Sequence, residues 1–99
     1  MTDLSARRAE IYAEIAARCT VDALPAPCEV SPKRDGYVWL RFDSYEEAER
    51  WATFLNLEIR VQIYQPEWNP NPVRDLQAGS GDWHGWRVYV TGWSEQVTT

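Results

Sequence analysis

Lysine is almost missing from this sequence: Lys33 stands alone among ten basic residues, the rest arginine, a bias in keeping with a GC-rich coding sequence. Histidine occurs once, at His84, so no His-rich metal cluster can be assembled. The two cysteines, Cys19 and Cys28, lack paired-thiol or metal-ligand spacing, and read as free, mostly buried thiols rather than a disulfide. No run approaches the about 20 apolar residues of a membrane span. The opening residues, MTDLSARRAEI, carry charges and no apolar stretch, so no signal peptide is expected and the cytoplasm is the expected compartment. Gly79-Ser80-Gly81 lacks the Gly-Lys-Ser/Thr ending of a phosphate loop, which argues against nucleotide cradling. No internal repeat is visible.

Catalytic constellations are equally scarce. An enzyme needs a nucleophile with its base, a carboxylate pair or a metal cluster. His84 beside Asp82, with Ser80 nearby, supplies only a minor alternative, a small hydrolase-like site in residues 80–84. Glu46, Glu47 and Glu49 read as solubilising groups on an exposed helix. The expectation is a non-catalytic protein without cofactor or metal.

What is present fits one domain, residues 1–99, of net charge −5. That charge disfavours indiscriminate binding to nucleic acid or anionic membrane. Six tryptophans are more than so small a core can bury with every indole N–H satisfied, so some are expected at the surface.

The organising stretch is GYVWLRFDSYEEAERWATFLNL, Gly36 to Leu57. Val38, Leu40 and Phe42 alternate with Tyr37, Trp39 and Arg41, as on a half-buried strand. Ser44 and Glu47 form a capping box, and Ala48, Trp51, Ala52 and Leu55 fall on one side of the helix that follows. Asn56 is a left-handed stop. Before this stretch, residues 3–19 read as an amphipathic helix capped by Asp3, with Leu4, Ile11 and Ile15 inward and Tyr12 and Cys19 widening the face. Pro25 and Pro27 mark an irregular connector. Cys28–Ser31 reads as a weak edge strand, joined to the central one by the turn Pro32-Lys33-Arg34-Asp35-Gly36.

Beyond the second helix, Ile59–Tyr64 and Trp86–Thr91 alternate cleanly. The residues between them, 66–85, read as a long connector, with Asn71-Pro72 and Gly79 bracketing one or two helical turns. Residues 94–99 read as a frayed tail. The expected fold is α+β: two helices on one face of a four-stranded, largely antiparallel, ferredoxin-like (plait-like) sheet. Its element order is helix, hairpin, helix, strand, strand.

The second faces of the three clear strands carry Tyr37, Trp39 and Arg41, then Arg60, Gln62 and Tyr64, then Arg87, Tyr89 and Thr91. None of these three segments contains Asp or Glu, although the chain has fifteen acidic residues. Guanidinium groups beside aromatic rings suit stacking and partner carboxylates. The plain alternative is a solvated sheet face, stabilised by cross-strand Arg–aromatic pairs. The candidate binding residues are therefore Tyr37, Trp39, Arg41, Arg60, Tyr64, Arg87 and Tyr89. The expected partner is another protein or a second copy of this chain, with single-stranded nucleic acid as the alternative.

Gly36-Tyr37-Val38-Trp39-Leu40-Arg41-Phe42 resembles the first ribonucleoprotein signature of the RNA-recognition motif, and the helix DSYEEAERWATFLN is similar to the one that follows it there. The resemblance implies a plait-shaped fold, base-stacking roles for Tyr37 and Trp39, and a core role for Phe42. It covers barely a quarter of the chain. Asp35 stands where the family has Lys or Arg, Val38 replaces a small residue, and the chain begins with a helix instead of the family's opening strand.

Overall fold

The computed structural model describes residues 4–95 of the chain. In order these form α1 (Leu4–Val21), β1 (Glu29–Pro32), β2 (Tyr37–Arg41), α2 (Tyr45–Phe54), β3 (Glu58–Tyr64), β4 (Val73–Trp83) and β5 (Trp86–Glu95). Asp3, the expected cap of the first helix, lies outside the described residues.

Local signals work as physical chemistry dictates around α2. The Ser44 hydroxyl accepts from the Glu47 N–H at 3.2 Å, satisfying one of the helix's orphan donors. Asn56 adopts φ 56° and stops the helix, which lets Leu57 turn inward and bury. Tyr45, Ala48, Trp51 and Ala52 form the buried face. At the first turn, the Arg74 guanidinium lies 3.8 Å over the Tyr45 ring and donates to Glu46 at 2.9 Å. Glu46's own backbone N–H first, and then Ser94 and Arg74, hold its carboxyl below the usual carboxylate range against an opposing desolvation.

The sheet has five strands in the order β1-β2-β5-β4-β3. Only β2 and β5 run parallel, with Trp39 beside Tyr89, and the other neighbours are antiparallel. The fold is α+β with two helices, but the expected four-stranded, largely antiparallel, ferredoxin-like sheet is not what forms. The error sits in residues 66–85, where β4 runs through most of the supposed connector and replaces its helical turns. One missed strand also reverses a direction. After α2 carries the chain across the sheet, β3, β4 and β5 meander back, and an odd number of strands brings β5 home parallel to β2.

β4 hides from propensity because its sequence, VRDLQAGSGDW, carries two Gly and two Asp, residues depleted from strands. Its glycines are there for close approach. A Cβ on Gly79 would meet the Tyr89 ring at 2.7 Å, and one on Gly81 would strike the Leu57 side chain. The register slips between Ala78 and Gly81, so β4 carries a bulge opposite Tyr89.

Both helices cover the same side of the sheet. Ile11 and Ile15 of α1 join Val38, Leu40, Val88, Val90, Leu76 and the inner face of α2 in one core. Arg7 caps the Trp86 ring at 4.7 Å, and Tyr12, exposed rather than part of the apolar face, reaches the Val30 carbonyl at 3.5 Å. Trp51, the largest fully buried side chain, donates its indole N–H to the Pro25 carbonyl at 2.6 Å and so fixes the proline connector. Trp86 is also buried, whereas Trp39, Trp68 and Trp93 are exposed.

Three smaller expectations change. β1 is shifted one residue from Cys28–Ser31, to Glu29–Pro32. Ser94 and Glu95 belong to β5 instead of a frayed tail, and 96–99 lie outside the described residues. Both cysteines are free, but Cys28 is exposed and Cys19 only partly buried, its thiol pushed up by that burial. No helix among the described residues is long and apolar enough to cross a membrane.

Candidate protein-binding face

The side of the sheet away from the helices is open. Alternation places all seven candidate residues there, because their neighbours Val38, Leu40, Val88 and Val90 point into the core. Tyr37, Trp39 and Arg41 of β2 lie beside Arg87, Tyr89 and Thr91 of β5 in register. The Trp39 and Tyr89 rings stack with centroids 5.6 Å apart and planes 28° from parallel. Tyr37 meets Tyr89 edge-on at the same separation, 5.6 Å. Tyr89 can lie down between them because Gly79 presents no side chain beneath its ring. These five candidates form one cluster. Arg60 and Tyr64 share the face but stand on β3, beyond β4, with Gln77 and Asp75 in between.

The electrostatics differ from those of an acid-free face. With β1 and β4 in place and β3 and β5 at full length, Glu29, Glu58, Asp75, Asp82 and Glu95 share the open side with Arg41, Arg60 and Arg87. Arg41 pairs with Glu29 at 3.1 Å and Arg60 with Glu58 at 3.7 Å, and Arg87 faces Asp82 across the β4–β5 pair. A hydrogen bond with Cys28 first, and Glu29 next, keep the Arg41 guanidinium above its ordinary value. The face is therefore a mosaic of both signs around a ring cluster. Between Trp39, Tyr89 and β3 it sinks into a shallow depression with Glu58, Arg60, Gln77 and Thr91 along its sides.

A second aromatic group closes the far end. Trp68 packs against Trp93 with centroids 5.2 Å apart, and the amides of Asn69 and Asn71 donate to the two Glu95 carboxylate oxygens at 2.9 and 3.2 Å. Sequence reasoning missed Trp93 on this face by ending the strand at Thr91. The continued alternation Thr91, Trp93, Glu95 carried the signal.

The chain matches no family model, no curated protein and no solved structure. Its face must be read from its own residues. Tyr37 and Trp39, to which the resemblance assigns stacking roles, stand on the open side, and Phe42 is buried. His84 occupies the tight β4–β5 turn at φ 52°, where its Nε2 lies 3.5 Å from Glu14 on α1 and its ring rests against Trp83. The imidazole is exposed.

The fold holds the Asp75 carboxyl of this face at a cost. Partial burial pushes it up from the usual value, only partly countered by a hydrogen bond with Gln77. A carboxyl raised in the folded state opposes folding once it ionises. Asp75→Asn is therefore expected to raise the melting temperature at neutral pH. That gain should disappear as pH falls below the unfolded aspartate value of about 3.9. Thermal melts of both proteins from pH 3 to 8 check this, and an unchanged melting point at neutral pH would contradict it.

Proposed function

We propose that this domain is a non-catalytic interaction module that grips a protein partner through the open sheet face, with Trp39 and Tyr89 at the centre. One observation carries the reading: a stacked Trp–Tyr pair, Trp39 still 42% exposed, on a face that neither helix covers. Rigid aromatic rings lose little conformational entropy on binding, which is why they dominate interface energetics. The surrounding charges of both signs suit a partner surface of mixed polarity, and Asp75 fits a carboxylate retained for a partner in spite of its cost to folding. The acids that share the face repel phosphate, which puts single-stranded nucleic acid behind a protein partner. Two free cysteines are in keeping with a reducing compartment such as the cytoplasm.

The test pairs Trp39→Ala with Arg41→Glu, both on exposed positions. Affinity capture with quantitative mass spectrometry should identify proteins held by the wild type and lost from the double variant. A central tryptophan of this kind is worth about 2 kcal/mol or more, or about thirtyfold in affinity. Partners retained by the double variant would place the interface elsewhere. Tryptophan quenching by single-stranded oligonucleotides, salt-sensitive and lost in Trp39→Ala, would put nucleic acid first.

A further inference from the structure

The two edges of the sheet are unlike. β1 is four residues long and ends on Pro32, whose missing N–H blunts the edge. β3 is seven residues long, contains no proline or lysine, and pairs with β4 in unbroken register, so its outer backbone groups form a regular unpaired template. Its helix-side row is uncovered as well. α2 packs chiefly on β5 and β4. Ile59, Val61 and Ile63 are left 37%, 45% and 58% exposed. An open edge and an aliphatic row on the same strand are two independent reasons for an occupant.

We infer that the occupant is a second copy of this chain, paired antiparallel along β3 across a two-fold axis at Val61, so that two five-stranded sheets become one. The register follows from β3 itself. With Val61 opposite Val61, all seven residues pair: Ile59 meets Ile63, Arg60 meets Gln62 and Glu58 meets Tyr64. No like charges stand directly opposite, and each Arg60 keeps its own Glu58 beside it at 3.7 Å. The aliphatic rows of the two copies then run on continuously, shielding each other from water. Moving the axis to Arg60 opposes two guanidiniums. Moving it to Ile59 pairs Glu58 with Arg60, but the overlap ends where Asn56, at φ 56°, leaves the extended conformation. β3 also carries one acid and one base, so it is neutral within a chain of net charge −5. A self-pairing edge escapes the repulsion that the rest of the molecule would impose.

A single strand pair is a small interface, so the dimer is expected to dissociate within the micromolar range. Sedimentation equilibrium of the full chain over that range should show a concentration-dependent rise to twice the chain mass. Val61→Lys and Val61→Glu, each at an exposed position, place like charges across the axis and should each weaken association by about tenfold or more. Mixed in equal amounts, the two variants should associate again, since unlike charges then face each other. Hydrogen exchange needs no substitution: alternate β3 amides of the wild type should gain protection as concentration rises. A wild type that stays monomeric, a dimer indifferent to both substitutions, or a mixture that fails to associate overturns the inference. A dimer lost in Trp39→Ala but kept in Val61→Lys would place self-association on the open face and also overturn it.

Discussion

Trp51→Ala is expected to lower the unfolding free energy by about 3–5 kcal/mol, the range for removing a buried tryptophan. Small domains have only about 5–15 kcal/mol in total, so the variant should be marginal at room temperature. The effect is large because Trp51 ties together parts distant in sequence. Its ring lies 6.1 Å from Phe42 after β2, 5.8 Å from Trp83 at the end of β4 and 6.1 Å from Phe54. Its indole N–H holds the Pro25 carbonyl at 2.6 Å, anchoring the connector between α1 and the sheet. Trp51→Phe separates the two roles, keeping a ring but leaving that carbonyl only the weak Cys19 thiol donor at 3.8 Å, for a loss of about 1–3 kcal/mol. Urea unfolding of the three proteins measures both steps. A Trp51→Ala loss below about 1 kcal/mol would contradict the central position assigned to this ring.

Gly92→Ala is expected to cost about 1–3 kcal/mol, through overpacking and not through backbone strain. A Cβ there would meet the Ser44 carbonyl oxygen at 2.5 Å and the Ala48 Cβ at 2.7 Å. Neither is the far end of a flexible side chain, so α2 itself must lift from β5. Lifting it pulls on the neighbouring clasp, in which the Tyr45 N–H donates to Ser94 at 2.9 Å and Ser94 donates to Glu46 at 3.2 Å. Gly36→Ala is the control. It has open space around it and φ 86°, so it bears only the left-handed backbone penalty of about 1–2 kcal/mol. Amide exchange distinguishes them: Gly92→Ala should loosen the first turn of α2, whereas Gly36→Ala should act at the hairpin alone. Unchanged protection in α2 would show that the helix accommodates the methyl.

Much of this was legible in residue order because local chemistry decides it. The Ser44–Glu47 cap, the Asn56 stop, the β2 alternation and the glycine turn at Gly36 each depend on neighbours within a few positions. β4 was not legible, since Gly79 and Gly81 look like loop residues until Tyr89 and Leu57 are seen lying against them. The candidate face followed the same division. Alternation placed Tyr37, Trp39, Arg41, Arg87 and Tyr89 on one side, but Glu29 stood on the weak edge strand, outside the three segments compared, and Asp75 and Asp82 came from β4, a strand that pattern alone had missed. Charge balance across a sheet belongs to strand order, and strand order is set by long-range packing.

That strand order also governs how the chain reaches its shape. β5, the last strand in the described chain, sits in the interior of the sheet and is, among the described strands, the one that joins the β1–β2 hairpin to the β4–β3 pair. A chain growing from its first residue can form α1, the hairpin and α2, yet β2 keeps an unpaired inner edge until some fifty residues later. Closing that gap means placing the sequence-distant Trp39 and Tyr89 side by side before much of the core can reward it. Assembly dominated by such non-local pairing belongs to the slower folders, milliseconds to seconds. Until β5 docks, hairpin and meander are two loose pieces held by one helix, each with a strand edge open to other chains.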